Sequence, residues 1–274
     1  MLVDTHAHLY WDSFKEDFDQ VIQRSIEAGV TTIINVGVDI KLSKIAAEQV
    51  KSKLSKIPGL TAYSTIGIHP HESIKYPDVV SIHRDIEKQE KLYQSAPDQI
   101  IAVGECGLDY VNIDTKQMEM QTLLFQAQID LAKKLKLPLI VHCRDDRSQN
   151  PENTEAWDKV LQMIGTHPAI LHCYSGLPKI TNLVLNSSNL LVSFAATITY
   201  PKNEYLRQAV QILPLERIVL ETDCPFLPPQ SKRGERNEPS TVLEIAQTIA
   251  DLKEITLEKV AKQTTANVAK IFAI

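Results

Sequence analysis

With 274 residues, 43% hydrophobic and 23% charged, the chain has the apolar content for a sizeable core and carries no low-complexity tract. A formal charge of −5 excludes a basic field for scanning nucleic acid without sequence preference. No apolar run approaches the roughly 20 residues that span a bilayer, and Asp4 directly after Leu2-Val3 leaves no signal-peptide apolar stretch, so a soluble, cytoplasmic protein is expected, with no membrane contact and no obligate protein partner.

The chain opens on a strand, Leu2 to His6, that delivers Asp4-Thr5-His6-Ala7-His8. Side chains alternate along a strand, so His6 and His8 point the same way, roughly 6.6 Å apart, a spacing that can grip one metal ion. Helical periodicity over Phe14 to Ala28 leads to a second strand, Thr31 to Val36, and the alternation continues. Helix Leu42 to Leu54 precedes strand Ala62 to Ile68; helix Val79 to Tyr93 precedes strand Ile100 to Glu105; helix Lys116 to Leu135 precedes strand Leu139 to His142. Helix Thr154 to Ile164 is followed by strands Ala169 to His172 and Leu190 to Ser193, then by helix Tyr205 to Leu213 and strand Arg217 to Glu221. Helices Val242 to Leu252 and Leu257 to Phe272 close the chain. Eight such strands without a linker or composition break predict a (β/α)8 TIM-like barrel, one domain over residues 1–274. An open doubly wound sheet is the structural alternative, but no glycine fingerprint for a dinucleotide follows any strand.

Ligand-type residues concentrate at the C-terminal ends of these strands: His6 and His8, His69 and His71, Glu105, His142, His172 and Asp223. Six of the eight histidines lie there. A lone buried His or Asp is more often a satisfied structural group than a ligand. Coincidence over five strands of a barrel rim, where catalytic residues converge, makes His6, His8, Glu105, His142, His172 and Asp223 a metal-ligand set. Six N/O ligands exceed the need of one tetrahedral ion and suit two ions about 3.5 to 4 Å apart with a shared carboxylate. Each of the four cysteines directly follows a candidate ligand, as Cys106, Cys143, Cys173 and Cys224, which places all four thiols by parity in the strand–helix layer, outside the metal shell. Their spacing matches neither a zinc ribbon nor a Cys-x-x-Cys redox site.

The motifs Asp4-Thr5-His6-Ala7-His8-Leu9, Gly67-Ile68-His69-Pro70-His71, Gly104-Glu105-Cys106-Gly107-Leu108-Asp109-Tyr110, His142-Cys143-Arg144, His172-Cys173-Tyr174-Ser175-Gly176 and Glu221-Thr222-Asp223-Cys224-Pro225-Phe226-Leu227, in that order, resemble the TatD-related deoxyribonucleases, metal-dependent hydrolases of the amidohydrolase superfamily. The resemblance implies two divalent cations, Mg, Mn or Zn, one held by His6, His8, Glu105 and Asp223 and the other by Glu105, His142 and His172, with Glu105 bridging. It implies cleavage of DNA phosphodiester bonds, with exonuclease action in some members, so DNA ends or single strands become the expected partner. A relative that deacylates mischarged tRNA makes an ester or amide hydrolase, such as an aminoacyl-tRNA deacylase or lactonase, the alternative.

A water held between two cations loses a proton near neutral pH, and Asp223 is the candidate to orient it and accept that proton. His69, leaving its strand before Pro70, is expected in the mouth of the site, binding phosphate or protonating the leaving group. Arg144 shares parity with His142 and is placed one step above the metals for a bidentate phosphate contact, its alternative being an ion pair with Asp145 or Asp146. Asp4 is a candidate either to steady an imidazole or to make a structural hydrogen bond, and the basic loop Pro228 to Asn237, with Tyr200 to Lys202, is either a solvated loop or a rim for a nucleic-acid backbone. The basic run Lys51 to Lys56, His83 and His167 read as surface.

Overall fold

In the computed structural model, which describes residues 1–274, eight strands pair in parallel in chain order: β1 (Leu2–Ala7), β2 (Val30–Asn35), β3 (Thr61–Ile66), β4 (Ile100–Asp109), β5 (Leu139–Arg144), β6 (Ala169–Leu171), β7 (Leu190–Phe194) and β8 (Ile218–Leu220). The seam between β8 and β1 is joined near the rim, where Asp223 N donates to His6 O at 2.8 Å and His8 N to Cys224 O at 2.9 Å, and deeper by Thr5 Oγ1 donating to Leu220 O at 2.9 Å. The fold is the expected (β/α)8 TIM barrel.

The helices are α1 (Phe18–Glu27), α2 (Ile40–Ser52), α3 (Val79–Ser95), α4 (Thr115–Leu135), α5 (Glu155–Ile164), α6 (Pro178–Leu185), α7 (Glu204–Ile212), α8 (Val242–Lys253) and α9 (Leu257–Phe272). Four of them start where a side chain accepts an otherwise free backbone N–H: Asp39 for α2, Asp78 for α3, Asp114 for α4 and Thr256 for α9. Helix α6 was not among the expected elements. It spans only eight residues and enters through Gly176-Leu177-Pro178, which reads as a turn, although proline fits the first helical position. No helix is long and apolar enough to cross a membrane.

Apolar residues of the strands divide between two layers. Leu2, Ala7, Val103, Leu139, Val141 and Leu220 pack outward under the helices in the main core. Val3, Ile34, Ile101, Ile140, Ile170 and Val219 form a second cluster inside the barrel, closed from below by Val268 and Phe272 of α9. With the lower interior filled by apolar side chains, the candidate ligands gather at the C-terminal rim, while small polar groups below it, such as Thr5 and Ser193, are buried with hydrogen-bond partners.

Two irregularities shape that rim. Strand β4 runs four residues past its expected end at Glu105, pairing Gly107 with His142 and Asp109 with Arg144, after a register shift between Val103 and Cys106. Gly107, at φ 138°, permits the continuation: a Cβ there would collide with the His142 carbonyl. A second shift falls between Asp4 and Ala7 in the β1–β2 pairing, where three steps on β1 face two on β2.

Candidate metal centre

His8, Glu105, His142, His172 and Asp223, from the ends of β1, β5, β6 and β8 and from within β4, line a rim cavity of about 640 Å³, and His6 of β1 is wholly buried beside them. The two oxygens of Glu105 divide them. Glu105 Oε2 faces His6 Nε2 at 3.3 Å and His8 Nε2 at 3.9 Å, and Asp223 Oδ1 stands 3.8 Å and 3.4 Å from the same two nitrogens. Glu105 Oε1 faces His142 Nδ1 at 3.0 Å, His69 Nε2 at 3.4 Å and His172 Nε2 at 3.6 Å. The expected ligands are thus brought together in two sets sharing one carboxylate.

Whether these groups fit a cation depends on which nitrogen of each ring carries its proton. His8 Nδ1 lies 2.9 Å from the Val36 carbonyl, which can only accept, so Nδ1 is the protonated nitrogen and Nε2 offers its lone pair to the site. His172 Nδ1 donates to Glu221 Oε2 at 2.9 Å and likewise frees Nε2. For His142 the roles reverse: Nε2 donates to Asp109 Oδ2 at 3.0 Å, leaving Nδ1 toward Glu105. Carboxylate and carbonyl partners of this kind orient metal-binding imidazoles and raise their basicity. The donor set fits divalent cations.

Burial and His172, stacked on it at 3.6 Å, hold His6 down to about 3, so this ring is neutral and free to ligate, with Nδ1 unpartnered. Burial opposes ionisation of Glu105, but His69, His172 and hydrogen bonds from His142 and His6 hold it well below the usual carboxylate range. Burial also works against protonation of His142 and His172, yet the carboxylates beside them push the two rings up to about 9 and about 10, so a cation entering here displaces protons.

His69 is different in kind. Its Nδ1 accepts from the His71 backbone N–H at 3.2 Å, so in the neutral ring the proton sits on Nε2, the atom that faces the site. Arg144 is exposed, lines the cavity and makes no ion pair; Asp145 is instead paired with Arg147 at 3.6 Å. Asp4 makes no hydrogen bond to an imidazole through its carboxylate and takes the structural alternative. The bulge after it breaks the alternation, and its carboxylate accepts from His6 N at 3.2 Å, Thr222 N at 2.9 Å and Thr222 Oγ1 at 2.6 Å, anchoring the turn that carries Asp223. Asp223 itself has φ 57°, a left-handed conformation uncommon outside glycine and tolerated by aspartate.

The cysteine expectation holds for Cys106 and Cys224, buried in the outer core, and in part for Cys143, which packs in that core but also borders the rim cavity. It fails for Cys173, whose φ of 42° ends the strand alternation and turns the residue to line the cavity. No cysteine enters any His and carboxylate grouping able to hold an ion. The basic loop is largely committed: Arg236 pairs with Asp17 at 2.7 Å, and the Arg233 guanidinium lies 4.7 Å from the centre of the Tyr200 ring. Lys51, Lys53, Lys56 and His83 are exposed, as expected; His167 is half-buried, with Nε2 donating to Leu137 O at 2.8 Å.

Asp109 and Glu221 lie within the family-like motifs, but nothing in their spacing along the sequence points to a role. Asp109, 1% exposed, joins His142 Nε2 to His71 Nε2 at 3.0 and 3.1 Å. Asp109→Asn removes the charge behind His142 and is expected to lower metal affinity roughly 10- to 100-fold, read by competition with a chromophoric chelator. An unchanged affinity would show that His142 is oriented by its strand alone.

The family profile described as TatD related DNase matches residues 3–273. YabD of Bacillus subtilis, named a metal-dependent hydrolase, is 34% identical over the full length of both chains. A 3'-5' ssDNA/RNA exonuclease TatD of Erwinia billingiae is 29% identical, with 100% of this chain and 99% of that one aligned. Among solved structures, the TatD homologue YJJV of Escherichia coli K12 superposes with a TM-score of 0.84 at 25% identity, covering 100% of this chain and 98% of that one.

Proposed function

Because the chain belongs to the TatD related DNases, metal-dependent hydrolases acting on ester bonds, we propose that it is a deoxyribonuclease, and an exonuclease, that cleaves phosphodiester bonds using two divalent cations. The observation that carries the two-cation reading is the division of Glu105, one oxygen toward His6 and His8, which Asp223 Oδ1 also faces, and the other toward His142 and His172. Two bound cations would supply electrophilic charge to the phosphoryl oxygens and lower the pKa of a water held there. Magnesium, manganese and zinc all accept this set of imidazole and carboxylate ligands to different degrees.

The chain's own residues divide the remaining work. Asp223 offers Oδ1 toward the first donor set, while Oδ2 has no protein partner and is free to accept the proton of the attacking water. His69 presents an N–H on Nε2 to the same space, the form that donates a hydrogen bond to a phosphoryl oxygen; to protonate a departing oxygen the ring would first have to take up a second proton on Nδ1 and give up its bond from His71 N. Arg144, unpaired at the cavity wall, can take a phosphate in a bidentate contact. The acidic chain does not oppose this, since the cations outweigh the two carboxylates among the ligands.

The test is a metal-supplemented panel of end-labelled single-stranded DNA, an aminoacyl ester and a lactone. DNA shortened from one end, with cleavage abolished by chelation and restored by a divalent cation, is the expected result. Turnover of the ester or lactone with DNA left intact would transfer the reading to a deacylase or lactonase working through the same centre.

A further inference from the structure

Of all the Phe, Trp and Tyr side chains, only Trp11 and Phe226 are exposed, at 39% and 46%, and both line the cavity above the candidate metal centre. Their rings meet edge to face at 5.9 Å and 81°, and Phe226 approaches the His8 ring at 6.2 Å. Each follows a candidate ligand by three residues and is tied back to it: Trp11 N donates to His8 O at 3.2 Å, and Phe226 N to Asp223 O at 2.9 Å. The turn carrying Phe226 is fixed a second time, because the buried Asn237 side-chain amide donates to Phe226 O at 2.7 Å and Thr222 O at 2.8 Å. Tyr10 supports Trp11 from the side, its ring centroid 6.2 Å away at 28°. An aromatic pair left half in water at a fixed offset from a centre for anions is matched by a ligand that carries a flat π-face next to a negative group.

We propose that Trp11 and Phe226 form a stacking platform for the unpaired terminal base of a single-stranded nucleic acid, holding the adjoining phosphodiester over the metal centre. The inference rests on the nuclease reading and adds the feature that selects a frayed or unpaired end: a base inside a duplex has both faces occupied by its neighbours and cannot lie on these rings. Stacking on an aromatic surface tolerates any base, so the platform selects strandedness and not sequence.

The test compares two end-labelled oligonucleotides of one sequence on the metal-loaded protein, one with a natural terminal nucleoside and one with an abasic terminal residue. The wild-type protein is expected to show a KM roughly tenfold lower for the base-bearing end. Trp11→Ala combined with Phe226→Ala is expected to lose that preference, and Trp11→Phe to keep it. A second measurement is independent of the alanine variants' folding. The only other tryptophan, Trp157, is fully buried, so fluorescence quenched by a phosphorothioate oligonucleotide in the wild type, and not in Trp11→Phe, reports a base on Trp11. Equal handling of the two ends by the wild type, or a preference that survives in the double alanine variant, overturns the platform while leaving the nuclease reading standing. A wild-type protein that degrades neither oligonucleotide but turns over the ester or lactone overturns both.

Discussion

Glu105→Ala is expected to lower metal-dependent hydrolysis by on the order of 10³-fold or more while the chain remains folded. The carboxylate is the one group common to both donor sets, so its loss removes a ligand from each and the only charge between His6 and His142. The fold has little at stake at this position. Glu105 sits above the apolar interior, and its side chain makes no contact that closes the barrel, whose seam is joined by backbone bonds at His6, His8, Asp223 and Cys224. Activity against end-labelled DNA, circular dichroism and bound-metal content measured together decide the matter. Retained activity with normal metal content would show that Glu105 does not bridge. The double variant His142→Ala and His172→Ala probes the second set alone, and full activity there would remove the second cation from the mechanism.

Asn237→Asp is expected to cost roughly 3–5 kcal/mol and to lower the melting temperature by on the order of 10 °C, a large effect for an isosteric change. The Asn237 amide is wholly buried and donates to three carbonyls, those of Thr222, Phe226 and Leu227 at 2.8, 2.7 and 3.3 Å, while its oxygen accepts from Glu238 N and Thr241 Oγ1 at 2.9 and 2.6 Å. Aspartate would set a buried negative oxygen against three acceptors, leaving a charge and three carbonyls without donors. These carbonyls belong to the turn around Asp223, so metal affinity is expected to fall along with thermal stability. Thermal melts with and without cation measure both. A melting temperature within a degree or two of the wild type would mean that the turn is held by Asp4 alone.

The barrel and the six candidate ligands were legible because both follow from periodicity: strands recur along the chain, and ligand-type residues recur where strands end. What stayed hidden depends on pairs of strands and not on one. Asp109 reaches His142 only because β4 continues through Gly107 beside β5, and Gly-Glu-Cys-Gly reads locally as an end of pairing. Parity misled at Cys173, where a positive φ breaks the two-residue period, and at Asp4 it left two readings open, of which the bulge after Asp4 selects the structural hydrogen bond. The tautomer of His69 depends on a hydrogen bond from His71 across a proline-initiated turn, which sequence spacing does not fix. Arg236, read from its neighbours as part of a basic rim, turns to Asp17 more than two hundred residues earlier in the chain.

The barrel seam gives the first donor set a history during synthesis that the second does not share. His142 and His172 follow Glu105 at short distances along the chain, so their half of the centre can be gathered while the ribosome is still making the last hundred residues. His6 and His8 emerge first and wait for Asp223, which reaches them only when β8 lies down beside β1. A cation held by those residues, as proposed, would tie the earliest strand to the latest, so full loading of the centre would require a finished ring, and a chain stalled before β8 would carry at most half of the proposed hydrolytic machinery.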